Sequence, residues 1–160
     1  MTPEQAVQRL NALLDDAMSD VRPPLQYWDG WPRSTEQTTG GIDDRSLGHA
    51  TATRDRYIMT KVAHTKYGAL LGLIERSWTA KGYTITAVNP RQPAIFASTP
   101  NGYDIAITFG APGNITLTAA VNPIPLIRDR DPFGTPIPEP TTPNGNLDVM
   151  PTFDDSFWSI

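Results

Sequence analysis

Histidine supply sets the first limit on chemistry, because the chain has only His49 and His64. They flank residues 50–62, which read as a strand rich in Thr and ending in Tyr57-Ile58-Met59-Thr60. An extended strand of that length holds its ends roughly 45 Å apart, so the two rings do not share a site. His64, just ahead of a predicted helix, is the one candidate general base, and there it also serves as an ordinary turn residue. Carboxylates occur as Asp15-Asp16, Asp43-Asp44, Asp129/Asp131 and Asp154-Asp155. Glycoside chemistry needs two acids converging across roughly 5 to 10 Å, and neighbours along one element do not give that. Asp129-Arg130-Asp131-Pro132-Phe133-Gly134 begins like a calcium loop but lacks the third acidic ligand and the terminal Glu. No metal and no cofactor are expected. Serine-hydrolase, P-loop, dinucleotide and zinc-protease patterns are missing, and Gly110-Ala111-Pro112-Gly113 is a turn with no helix behind it. The absence of cysteine removes thiol catalysis, Cys-based metal sites and disulfides. No catalytic residue is assigned.

Two segments carry residues suited to binding instead. Tyr27, Trp28, Asp29 and Trp31 stand within five positions, and flat aromatic faces beside a carboxylate suit sugar rings or peptide side chains. The plainer reading folds Trp28 and Trp31 over a sheet edge as a satellite core. The terminal stretch Phe153-Asp154-Asp155-Ser156-Phe157-Trp158 is acidic and aromatic. Phe153, Phe157 and Trp158 either dock on a protein or peptide partner, with the preceding prolines as spacer, or fold back over their own domain. Thr84, Thr86, Thr108, Thr116 and Thr118 are expected on the solvent face of a sheet, as half-exposed strands prefer.

The elements that must position these residues are legible from periodicity. Thr2 caps a first helix, Pro3 fits its first position and Gln5 completes a capping box. Val7, Leu10, Leu14, Ala17 and Val21 then draw one apolar stripe up to Arg22-Pro23-Pro24. Residues 25–47 lose all periodicity and read as a long loop. A second helix is predicted over 65–81, with Tyr67, Leu70, Leu71, Ile74 and Trp78 on its apolar face and Gly82 as its C-terminal cap. Four short strands follow, over 83–88, 94–98, 103–109 and 115–121. Asn101-Gly102 marks a hairpin, and Ile105, Ile107 and Phe109 alternate with polar or small neighbours. The expected fold is α+β: two helices on one face of an antiparallel sheet of about five strands, in the order α-β-α-β-β-β-β.

Composition divides the chain at Val121. Of 13 basic and 17 acidic residues, two and six respectively fall in 122–160, which leaves 11 of each sign in 1–121. Eight of the 16 prolines also lie in that last quarter. The expected organisation is an α+β domain over 1–121 and an extended, Pro-rich acidic tail over 122–160. A neutral body gives no footprint for nucleic acid, and no stretch approaches the roughly 18 apolar residues of a membrane span. The N-terminus lacks the pattern of a signal peptide, so the reading is a soluble chain, cytoplasmic as written or extracytoplasmic if an export signal has been removed. Oligomeric state leaves no mark in the sequence.

The runs Tyr57-Ile58-Met59-Thr60-Lys61-Val62, Gly68-Ala69-Leu70-Leu71-Gly72-Leu73-Ile74-Glu75-Arg76-Ser77-Trp78 and Lys81-Gly82-Tyr83-Thr84-Ile85-Thr86 resemble small uncharacterised proteins of high-GC actinobacteria. Ten Arg to three Lys agrees with that coding bias. The resemblance covers most of 1–121 and implies a secreted or lipoprotein-type setting, although the signal segment and lipid-bearing cysteine of a lipoprotein are lacking. The functional expectation is a non-enzymatic binding or envelope-associated module using the aromatic loop and the C-terminal peptide. Two alternatives stand beside it: an enzyme with its site near His64, and a toxin-neutralising or phage-structural protein.

Overall fold

The computed structural model describes residues 1–89 and 91–160. Helix α1 spans Pro3–Met18 and opens on the expected capping box: Gln5 N–H donates to the Thr2 hydroxyl, and Thr2 N–H donates to the Gln5 carbonyl. Its buried stripe is Ala6, Leu10, Leu13, Leu14 and Ala17, one position round from the predicted Val7. The helix closes at Ser19, ahead of the Arg22-Pro23-Pro24 stop. Helix α2 spans Tyr67–Ala80 behind a 3-10 turn at His64–Lys66, and buries Leu70, Ile74, Ser77 and Trp78. The Trp78 indole N–H donates to Ala17 O at 2.9 Å, which ties the helices together at the centre of the core.

The antiparallel sheet has seven strands. They are β1 Tyr27–Asp29, β2 Arg33–Thr38, β3 Ser46–Ile58, β4 Thr84–Asn89, β5 Ala94–Ser98, β6 Asp104–Phe109 and β7 Ile115–Pro125. The spatial order is β1-β3-β7-β6-β5-β4, with β2 pairing the other half of β3. The expected meander is β4 to β7 in sequence. The expected count of about five is corrected to seven, because residues 25–47 are not a loop. Tyr27 pairs with Ile58, and Arg33 pairs with Thr53, so two short strands line one edge of the long β3. Neither could show a period of two: β1 has three residues, and β2 (Arg-Ser-Thr-Glu-Gln-Thr) contains no apolar side chain. The first long strand also shifts, from the predicted 50–62 to 46–58.

Ile95, Ala97, Ile105, Ile107, Phe109, Ile115, Leu117, Ala119 and Val121 face the helices and are buried. On the opposite face lie Thr108, Thr116 and Thr118, half-buried as expected, whereas Thr86 falls where the β4–β5 register slips. Helix α1 packs across β3, β6 and β7, and α2 against β4.

The segment after β7 returns along the β2/β1 edge. Arg128 pairs with Glu36, and Trp31 donates to both Asp131 and Glu139. Thr152 and Phe153 N–H both donate to Met59 O, and Lys61 N–H donates back to Phe153 O. Ala63 N–H then donates to Trp158 O, and the Trp158 indole donates to Pro23 O at 2.7 Å. Trp158 is 1% exposed and belongs to the same core cluster as Trp78. Of the two readings of the terminal peptide, Trp158 follows the one in which it folds back over its own domain, and Ile124, near the end of β7, is buried as well. Composition hid the burial of Trp158, because one tryptophan among many prolines draws no periodic pattern.

Candidate functional site

Period-two geometry divides the predicted aromatic site. Tyr27 and Asp29 point to the helix side of the sheet, where both engage Arg56: the guanidinium sits 3.9 Å from the Tyr27 ring centroid and 2.7 Å from the Asp29 carboxylate. Asp15 of α1 closes the cluster at 2.9 Å. Burial works against the Arg56 charge, and hydrogen bonds to Asp29 and Asp15 outweigh it, so the guanidinium is held above its ordinary value. Trp28 points to the other face and stacks on Tyr57, with ring centroids 4.6 Å apart. Tyr27 and Asp29 thus share Arg56 on one face while Trp28 lies on the other, so the three do not form one binding surface.

Trp31 is placed differently. Between it and β1 lies Gly30, which is buried; a Cβ there would stand 3.1 Å from the Tyr57 ring and 3.4 Å from the Glu139 carboxylate. That close approach lets the returning segment cross the edge. The Trp31 N–H donates to Glu139 at 3.1 Å and its indole to Asp131 at 2.9 Å. A groove of about 430 Å³ opens beside it, between Trp31, Arg33 and Glu36 on β2 and Leu126, Arg128 and Arg130 on the returning segment. Arg33 is paired with Asp55 and Arg128 with Glu36. The Arg128 hydrogen bond holds the Glu36 carboxyl below the usual carboxylate range. Arg130 is exposed and makes no ion pair among the described residues. Trp31 and Arg130 thus both line the groove, an indole and a guanidinium without an ion pair among the described residues, a combination that holds carboxylates and flat side chains.

The C-terminal residues also separate. Trp158 is buried in its own chain, as the fold-back reading of the terminal peptide has it. Phe153 is 54% exposed and Phe157 42% exposed. Phe157 stacks edge-on against Trp158, and the Lys66 ammonium lies 3.8 Å from the Phe157 ring centroid. His64 is exposed at the start of the 3-10 turn, with its ring 4.9 Å from that of Tyr67.

The paired carboxylates diverge. Asp15 meets Arg56, whereas Asp16 accepts from the Tyr83 hydroxyl at 2.6 Å. Asp131 accepts from Phe133 N–H and from Trp31, and Gly134 N–H donates to Asp131 O, so Asp131 opens a turn over 131–134. Among the described residues no three His, Cys, Asp or Glu side chains gather as metal ligands would. Among the described residues no helix is long and apolar enough to cross a membrane. The groove residues Arg128 and Arg130 had no signal in the sequence beyond being the two basic residues of an acidic tail. The chain matches no known protein family, no curated protein and no solved structure.

Proposed function

We propose that this protein is a non-enzymatic binding module that holds a peptide segment of a protein partner in the groove between β2 and the returning segment. The observation that carries the reading is the unpaired Arg130 facing the same groove as the Trp31 ring. A carboxylate next to an aromatic or apolar side chain satisfies both at once. The envelope setting rests on the actinobacterial resemblance alone. Selection of a random peptide library on the full chain tests the reading. Enriched peptides are expected to carry Asp or Glu within two residues of an aromatic. Trp31→Ala should abolish enrichment, and Arg130→Glu should move it toward Lys and Arg. Enrichment that both variants leave unchanged would sink the proposal.

A further inference from the structure

A second cleft, of about 800 Å³, lies between α1 and the loop joining β5 to β6, on elements separate from the groove. That volume is in the range of small-ligand sites. One wall is a helical stripe: Arg9, Leu13 and Asp16 recur at steps of four and three and so share one face of α1. The other wall is Tyr83, Asn101 and Tyr103, and the β5–β6 loop is braced by Gly102 N–H to Thr99 O and Tyr103 N–H to the Thr99 hydroxyl.

Charge is separated along the cleft. At one end the Arg9 guanidinium donates to the Tyr103 hydroxyl and makes no ion pair among the described residues. At the other end the Asp16 side chain is 51% exposed. It accepts one short bond from Tyr83, at 2.6 Å, and a long contact from Lys81, at 3.5 Å. A carboxylate has about four acceptor positions, so Asp16 keeps room for a further donor. Lys81 also lines the cleft at this end and is itself shared with Asp20, at 3.6 Å. Between the two ends Leu13 and the Tyr83 ring form an apolar floor, each 8% exposed.

The spacing selects a ligand. Seven residues of helix put Arg9 and Asp16 about 10 Å apart along the axis. An extended chain covers roughly 3.3–3.6 Å per residue, so three residues span the same distance between a free amine and a free carboxylate. We propose that this cleft binds short peptides of about three residues by both free termini, the carboxylate on Arg9 and Tyr103 and the ammonium on Asp16. In that direction the ligand lies antiparallel to the α1 dipole, with its negative end toward the positive end of the helix. Asn101 and Thr99 offer side-chain donors and acceptors for the peptide amides.

Calorimetric titration of the full chain with trialanine, N-acetyl-trialanine and trialanine amide tests this. Trialanine should bind, and capping either terminus should weaken it roughly fivefold or more, the size of an exposed ion pair. Arg9→Gln, a change at an exposed position, should weaken trialanine by a similar factor and leave the amide unaffected. Asp16→Asn should do the same toward the acetylated peptide. Equal affinity for free and capped peptides, or no binding of trialanine at millimolar concentration, would overturn the proposal. Either result leaves the groove reading standing, because neither variant touches it.

Discussion

Arg56 carries a full charge into the core side of the sheet at 2% exposure, held by Asp29, Asp15 and the Tyr27 ring. Removing the guanidinium leaves Asp29 and the largely exposed Asp15 unpaired, which costs about 1–3 kcal/mol. Arg56→Met is expected to lower unfolding free energy by about that amount, measured in urea, with no change of slope. Its neighbour Tyr57 faces the other way, and burial together with the Asp55 charge pushes its hydroxyl up to about 12 from 10.0. The folded state therefore keeps a proton that the unfolded chain releases. The associated stability is complete below pH 10 and is lost as pH rises through about 12. Tyr57→Phe should flatten that alkaline limb in a pH series of denaturation midpoints. Alternation along Arg54-Asp55-Arg56-Tyr57 was visible in the sequence. Its direction was not, because two arginines on the inner face look like a solvent face until Asp15 and Asn11 of α1 are brought over them.

At the scale of elements, the two helices are joined at their C-terminal ends by polar ties. Ser77 donates to Asp20 at 2.6 Å, and Lys81 reaches Asp20, Asp16 and Ser19. The Ser77 hydrogen bond, and after it the Lys81 charge, holds the Asp20 carboxyl below its ordinary value. A depressed carboxylate stabilises the fold above the ordinary carboxylate range, and that contribution disappears as pH falls through the folded value. Ser77→Ala should raise the Asp20 value, read from the pH titration of its carboxyl carbon, and its stability deficit should vanish in acid. Elements with apolar contrast were legible: α1, α2 and β5 to β7 follow steps of three and four or of two. Strands β1 and β2 were not, since an edge pairs through backbone groups that carry no sequence signature. The same limit divided the predicted site. Reading Tyr27 to Trp31 as one loop put together three residues that strand geometry sends to opposite faces and a fourth, Trp31, that lies beyond the strand.

The whole molecule is closed by its last quarter. Trp158 seats between Pro23 and Ala63, and the segment before it meets the sheet through side-chain contacts at Trp31 and Glu36 and backbone bonds at Met59 and Lys61. Trp158→Ala should cost about 3–5 kcal/mol, as large aromatic deletions in cores do, and lower the thermal midpoint accordingly. A chain cut after Val121 also loses the end of β7, which runs to Pro125. It is expected to be less stable than the Trp158 variant and prone to associate through the opened edge, measurable by light scattering. The division at Val121 was sound for charge and proline content. Those quantities report solvation and chain stiffness, and neither reports where a single indole is buried.

The placement of Trp158 also fixes an order of events during synthesis. Pro23 and Ala63, which flank the indole, are made long before Trp158, which stands 135 positions after Pro23. The socket therefore stays empty until the last quarter has been made and has cleared the ribosome, so closure by Trp158 is the late step of assembly.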